Sequence, residues 1–584
     1  MQGQLTITNM DLVLLWAFDV GAPIEAEYVL NVLDKTHPYV EAIMDPHGEP
    51  EPSCALMKYL REVWRKNHPN ASDSDVMQYL FRDREHFMVP LLHANDKGVL
   101  DPEFVASRVF TRIKLCSFII KFYDNRFREL SGNRRIKVEV YGLLYDAGVI
   151  SIMVWIPFRD VNMRVEDVID IAGKIEELPI DAELVEWLPE VKKSFRDFLN
   201  LIRNAMGRPP HLMDIIEFYV SYLVPPCLAW RKCYEKYVGR IKKLREKILN
   251  AEVRGDTKER ERLNERLNAI MEKIVDEACE LLVGERVDRA RIAPQRARTP
   301  YKLPHGFTII CIRDIAANGY RYKNITEIIK RHASELYGIL AGAELWRLER
   351  PQIVSADVSI ERNLCPREEE GFFLCSARGL WVGSEQERQL VVSRAVRLSK
   401  EKGLPQDLAT EIVYRDDELT YILPVEFLLL QKFLLATYDW QIRQKAKFAT
   451  KPSDIAVLVD ELREASEVYH VVKFAKAEPC RSIVEEGKKE MELVELHDAL
   501  MEKRELLMDK LRSMYEEVRD ILDRVLAALF GLLGVLSVGS LVIELAEHPH
   551  LVLLIISIIL LSLSILGILL WSLMRLLTRR WRLL

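Results

Sequence analysis

The chain has 584 residues, 29% of them charged, and a formal net charge of −6 at pH 7. So even a balance gives no whole-protein case for nucleic-acid binding, and the length suits two to four domains. Nine cysteines are scattered with no zinc-knuckle spacing, so free and mostly buried thiols are expected.

Asp11–Val20 is an apolar run closed by Gly21, Ala22 and Pro23, which predicts a buried strand and a turn. A helix is expected from Ile24 to Asp34 and a loop over Pro46–Pro52. Helical patterns follow over 53–66, 72–87 and 102–130. In the last, Val105, Val109, Ile113, Cys116 and Ile120 recur at three- and four-residue steps. Lys137–Tyr145 and Val149–Ile156 are β-branched and aromatic, and Gly148 between them supplies the positive φ of a hairpin. A helix over 165–177 and further helices to Leu223 complete an α+β domain of residues 1–225.

Pro225 and Pro226 are expected to end that domain. Residues 226–284 then read as an antiparallel helical hairpin. Gly255 breaks the run, and Asp256 with Glu259 resembles a capping box. Its many charges suit a solvated face or, alternatively, a docking arm. Residues 285–300 hold five arginines among prolines and alanines, which reads as a basic linker able to touch anionic lipid. No aromatic side chains are interleaved for base stacking, so nucleic acid is disfavoured there.

Residues 301–450 are expected as a second α+β domain that folds on its own. Its strands are read at Phe307–Arg313, Gln352–Ile360, Gly371–Val382 and Leu419–Val425. Its helices are Asn324–Leu340, with Asn324 as cap, and Gln386–Lys402. That β-α-β-β-α-β order is ferredoxin-like. A helix packed on the sheet is expected over Glu426–Lys445. Residues 451–524 read as membrane-proximal helices, one from Lys451 to Glu478 and one running unbroken from Arg481. In the second, Leu493, Leu496, Leu500, Leu507, Leu511, Met514, Val518, Ile521 and Val525 form a heptad-like seam. It predicts homo-oligomers joined through the 481–543 helix.

No charged residue occurs from Val525 to Ile543 or from Leu551 to Met574, and each run is long enough to cross about 30 Å of hydrocarbon. Residues 525–574 are therefore expected as two transmembrane helices in a lipid bilayer, followed by a basic tail of residues 575–584. Lys and Arg flank the spans only on the side away from the 544–550 loop. Both termini are thus expected in the cytoplasm, in a cell-membrane protein of two spans.

No GxxxxGK(S/T), HExxH, GxSxG or strand-linked GxGxxG is present, so no catalytic residue or cofactor is assigned. His86 and His93 lie seven residues apart without paired carboxylates. Asp416, Asp417 and Glu418 read as an acidic turn before a strand, either solvated or holding a hard cation. Glu544, Glu547, His548 and His550 crowd the outer loop, where carboxylates concentrate cations at a pore mouth. They are weak metal candidates.

The layout of Arg481–Ile543, Glu544–His550 and Arg575–Leu584 resembles the CorA-type magnesium channel family. That family joins a cytoplasmic α/β domain, a long helix into the first of two spans, a short acidic outer loop and a basic tail. The resemblance implies a divalent-cation channel or transporter. The family's Gly-Met-Asn signature is replaced here by Ser540, Leu541, Val542, Ile543 and Glu544. The leading expectation is a non-enzymatic, oligomeric membrane protein with large sensing or scaffolding domains. A membrane-tethered enzyme of unrecognised type is the third.

Overall fold

The computed structural model describes residues 5–44, 50–59, 110–125, 135–185, 187–282, 306–342, 363–365, 367–375, 378–447, 451–470 and 478–545, with a few single positions besides. The strands are β1 Leu5–Asp19, β2 Val40–Met44, β3 Pro50–Pro52, β4 Phe110–Phe122, β5 Ile136–Tyr145 and β6 Val149–Phe158. They continue with β7 Met163–Arg164, β8 Ile180–Leu184, β9 Phe307–Ala317, β10 Tyr320–Arg321, β11 Glu370–Leu374 and β12 Arg378–Gly383. The helices are α1 Ala26–Thr36, α2 Cys54–Tyr59, α3 Val165–Lys174, α4 Pro189–Met206, α5 Leu212–Val253 and α6 Thr257–Leu282. After them come α7 Ile325–Ala341, α8 Glu385–Lys402, α9 Gln406–Ala446, α10 Pro452–His470, α11 Glu478–Glu490 and α12 Leu493–Leu545. Two compact units are formed: Met1–Lys445 with Glu461–Met501, and Ala446–Asp460 with Glu502–Leu584.

The first unit is built on one mixed sheet in the order β11-β12-β9-β1-β6-β5-β4-β2-β3, with β10, β7 and β8 pairing β9, β1 and β4. The fold is α+β, and strands from both expected α+β segments enter this single sheet. Their junction is β1 with β9, antiparallel from Leu5 opposite Ala317 to Leu15 opposite Phe307. Among the named strand pairs only β12 with β9 is parallel.

One sheet face is apolar. Leu12, Leu14, Trp16, Ile310 and Ile312 point into a core filled from α1, α3, α4, α5, α6 and α7. The β5–β6 hairpin forms as expected, with Gly148 at φ 82°. Asn324 caps α7 by accepting from the Glu327 N–H at 3.0 Å. The α5–α6 hairpin turns at Gly255, φ 70°, and Asp256 accepts from the Glu259 N–H at 3.0 Å.

Several expectations are corrected. The helical pattern over 102–130 covers β4, a strand from Phe110 to Phe122. A bulge between Leu115 and Phe118 shifts its alternation, so Ile113, Cys116 and Ile120 reach one core at helix-like spacing. Pro225 and Pro226 end nothing; both lie inside α5. A proline in a helix interior costs about 3 kcal/mol, but Leu223, Val224, Cys227, Leu228 and Trp230 around them are buried, and that packing holds the helix.

The ferredoxin-like order does not form. Leu419–Val425 lies in the middle of α9, and the expected strand Gln352–Ile360 falls outside the described residues. Over Leu419–Val425 every residue but Thr420 is buried, so this part of the helix has no solvent-facing side and its apolar run imitates a strand. Pro424 leaves the Thr420 carbonyl without its usual helical donor, and the Cys480 thiol donates to that oxygen at 3.5 Å. The long helix starts at Leu493 rather than Arg481, because Glu492 at φ 58° separates it from α11.

Three described helices are long and apolar enough to cross a membrane, by length and composition: α5, α9 and α12. Two spans were expected, so the two-span topology with both termini cytoplasmic does not stand. Its second span, 551–574, lies outside the described residues apart from one position.

Candidate functional site

The second face of the sheet is charged. Strand alternation sends Asp11, Val13 and Leu15 of β1 away from the apolar core, and cross-strand pairing carries that face outward. Arg313 joins it from β9, Trp155 from β6, and Glu139 with Tyr141 from β5. Arg112 and Lys114 come from β4, and Glu370 and Trp381 from β11 and β12. All these residues are at most 9% exposed. Burying them requires partners of opposite charge, and α9 supplies them.

Glu411, Arg415 and Glu418 follow each other at four- and three-residue steps, so they share the helix face turned to the sheet. Arg313 donates to Glu418 at 2.6 and 2.9 Å, to Glu411 at 2.6 Å, and to Asp11. Arg159 donates to Glu411 at 2.8 Å and pairs with Asp11. Arg415 bridges Glu411 at 2.9 Å and Glu139. Trp155 Nε1 donates to Asp11 at 2.8 Å and the Tyr141 hydroxyl to Glu139 at 2.7 Å. Arg415 also lies over the Trp155 ring and Arg313 over the Tyr414 ring, at 5.3 and 4.8 Å from the centroids. Arg112 pairs with Glu426 further along the helix, and Lys114 faces Glu41 at 3.5 Å.

A second cluster sits towards the β11 edge. Glu370 accepts from Tyr421 at 2.7 Å, Trp381 at 2.8 Å and Arg367 at 3.0 Å. Arg394 of α8 reaches Asp417 at 2.6 Å and Glu387 at 2.9 Å.

Charge is not balanced inside this layer. In the first cluster three arginines meet four carboxylates, Asp11, Glu139, Glu411 and Glu418. In the second, Arg367 and Arg394 meet Glu370, Glu387 and Asp417. Burial opposes ionisation of Asp11, yet Arg159 and Arg313 outweigh it and hold the carboxyl below its ordinary value. Burial also opposes ionisation of Glu139, and Arg415, Lys114 and Lys137 bring it down to about 2. Glu387 goes the other way. Burial, with Glu370 and Asp417 close by, pushes it up to about 8, and burial pushes Glu418 of the first cluster up to about 8 against the pull of Arg313, so each cluster holds a proton at neutral pH.

The named carboxylates each face an arginine or, for Glu41, Lys114, and tyrosine or tryptophan donors add to Asp11, Glu139 and Glu370. The layer therefore fixes α9 on the sheet and leaves none of them as an uncommitted base or nucleophile. Among the described residues no group of three or more His, Cys, Asp or Glu is arranged to hold a metal ion. All nine cysteines are free thiols, most of them buried.

The acidic trio Asp416, Asp417 and Glu418 is thus neither a turn nor solvated. It lies within α9, at most 8% exposed, with Asp417 and Glu418 on arginines. Glu544 falls in the last turn of α12. Glu547, His548 and His550 lie outside the described residues, as do His86, His93 and residues 285–300. The charged layer itself was missed. Its signal was a charge at alternate positions of apolar strands, as with Asp11, Glu139 and Arg313, matched by the helical spacing of 411, 415 and 418.

No protein-family model, curated protein or solved structure matches this chain.

Proposed function

We propose that this is a non-enzymatic membrane protein whose folded α+β body senses or scaffolds, held to a lipid bilayer by α12 and assembled into homo-oligomers through the same helix. The observation that carries the reading is the bareness of α12. Its most apolar window has a mean hydropathy of 2.0 and none of it is buried, whereas α5 and α9 bury 67% and 83% of theirs. Leu529, Phe530, Leu532, Val535 and Leu536 are all exposed. Each such side chain gains about 1.5–3 kcal/mol on leaving water, and hydrocarbon around the helix supplies that gain.

The seam supports assembly. Leu493 and Leu500 are fully buried, but Val518, Ile521 and Val525 of the same series are 49%, 62% and 51% exposed. A second helix packed on that stripe would cover them.

Extraction of membranes with alkaline carbonate tests the anchor. The full chain should resist extraction, and a chain ending at Arg524 should be released. A truncated chain that stays behind would show that another segment holds the membrane. For assembly, Leu507→Asp with Leu511→Asp should reduce the native mass in detergent while the body stays folded. An unchanged mass would remove the oligomer from this reading.

A further inference from the structure

The tip of the α5–α6 hairpin carries a half-open cavity of about 320 Å³, the size of a small-ligand site. Four cationic side chains line it: Lys247 and Arg254 from the end of α5, and Arg262 and Arg266 from the first turns of α6. One carboxylate, Glu259, lines it too, and Arg254 already engages it at 3.1 Å. Arg254 also donates to the Asn250 carbonyl at 3.1 Å, and Asp256 is spent on the cap of α6. The turn has therefore satisfied its own charges. Lys247, Arg262 and Arg266 are left without a hydrogen bond or ion pair to any described residue, although glutamates are plentiful on both helices; Arg260, for comparison, finds Glu252 at 3.7 Å.

The three side chains are exposed, and water screens their repulsion, but together they set a positive field at the cavity that favours an anion. Guanidinium groups match the oxygens of a phosphate in paired, parallel hydrogen bonds, which a single ammonium does not do. Leu263, 6% exposed, gives the cavity an apolar wall, and Leu249 and Val253 stand exposed on the same tip at 60% and 80%.

We propose that this cavity binds a phosphate-bearing anion through Lys247, Arg262 and Arg266. The same chemistry serves a free phosphate compound and an anionic lipid headgroup, and the exposed Leu249 and Val253 are placed to meet acyl chains in the second case. The site is independent of α12, so its failure leaves the anchor untouched.

The experiment is calorimetric titration of the full chain in non-ionic detergent. The probes are inorganic pyrophosphate, dihexanoyl phosphatidylglycerol and, as the zwitterionic control, dihexanoyl phosphatidylcholine. Saturable binding at one site per chain is expected. It should weaken at least tenfold in Arg262→Gln with Arg266→Gln and stay unchanged in Lys242→Gln with Lys243→Gln, exposed lysines of α5 outside the cavity. Binding of pyrophosphate alone identifies a free phosphate compound as ligand, and binding of phosphatidylglycerol alone identifies a headgroup. Binding of both supports the shared phosphate chemistry. The proposal is overturned if neither anion binds, if phosphatidylcholine binds as tightly as phosphatidylglycerol, or if the two double variants lose affinity equally.

Discussion

Helix α9 packs 83% of its most apolar window inside the protein and α12 packs none of its own, although both have the length and hydropathy of a membrane span. The difference lies in their charges. α9 carries Glu426 within that window and Glu411, Arg415, Asp417 and Glu418 just before it, each paired with an opposite charge, and all but the Glu411–Arg415 contact reach off the helix. α12 has no charge from Val525 to Ile543. A charged group survives away from water only beside a partner fixed by other parts of the fold. Charges spaced along one face of an apolar helix thus point to a protein surface as its neighbour, and their absence leaves hydrocarbon as the fitting one.

The largest effect is expected when α9 is separated from its partners. A chain of residues 299–451 keeps α9 and Arg313 but lacks Asp11, Glu139, Arg159 and the β1 strand to which β9 pairs. It should be insoluble or show no cooperative unfolding. A soluble fragment with dispersed amide resonances would show that the sheet divides and that α9 is held by apolar packing. Next in size is Arg313→Ala in the full chain, which strips Glu418 of its cation and leaves Asp11 and Glu411 to Arg159 and Arg415 alone. Removing one partner of a buried ion pair costs about 3–5 kcal/mol, read as a lower denaturation midpoint. A loss below about 1 kcal/mol would mean that these carboxylates find water and that the layer is not what holds α9.

Much of the scaffold was legible because it depends on local chemistry. The β5–β6 hairpin followed from Gly148 between β-branched runs, α7 from its Asn324 cap, and the α5–α6 turn from Gly255 and Asp256. What was not legible depends on distant partners. Leu419–Val425 is strand-like in composition and becomes helix because it is buried all round. β9 looked like the first strand of a separate domain because nothing near it in sequence names β1 as its neighbour, roughly 300 residues earlier. The charged layer was hidden for the same reason: Asp11, Arg313 and Glu418 are single charges in apolar runs, and only the sheet register brings them together.

The pH dependence of stability sharpens the comparison, because the charged layer under α9 holds excess buried carboxylates. Glu387 titrates at about 8 when folded against 4.5 ordinarily. A raised carboxylate value means the folded state binds the proton more tightly. Its contribution is therefore complete below pH 4.5 and is lost as pH rises to about 8, by at most about 1.4 kcal/mol per pH unit. Asp11 and Glu139 have lowered values, so their contribution is present above the ordinary carboxylate range and fades only as pH falls through it, for Glu139 towards about 2. Between pH 5 and 8 the raised carboxyls set the slope: Glu387 and Glu418 at about 8, and Asp146 at about 7. Urea midpoints of the full chain should decline over that interval, and less steeply in Glu387→Gln. An equal decline in the variant would assign the proton elsewhere, with Glu418, pushed up to about 8 by burial, as the first alternative.

The smallest effect is expected on α12. Leu532 is 62% exposed. Replacing it with alanine removes little area that folding had buried, opens no cavity and places a strong helix former in a helix. The unfolding free energy of the full chain in detergent should then change by no more than about 0.5 kcal/mol. Detergent touches the leucine and the alanine alike in folded and unfolded chains, which keeps the comparison within the protein. A loss of about 2 kcal/mol or more would mean that Leu532 packs against protein in the assembled state. α12 would then be held as α9 is, by its neighbours in the fold, and the contrast between the two helices would no longer separate lipid from protein.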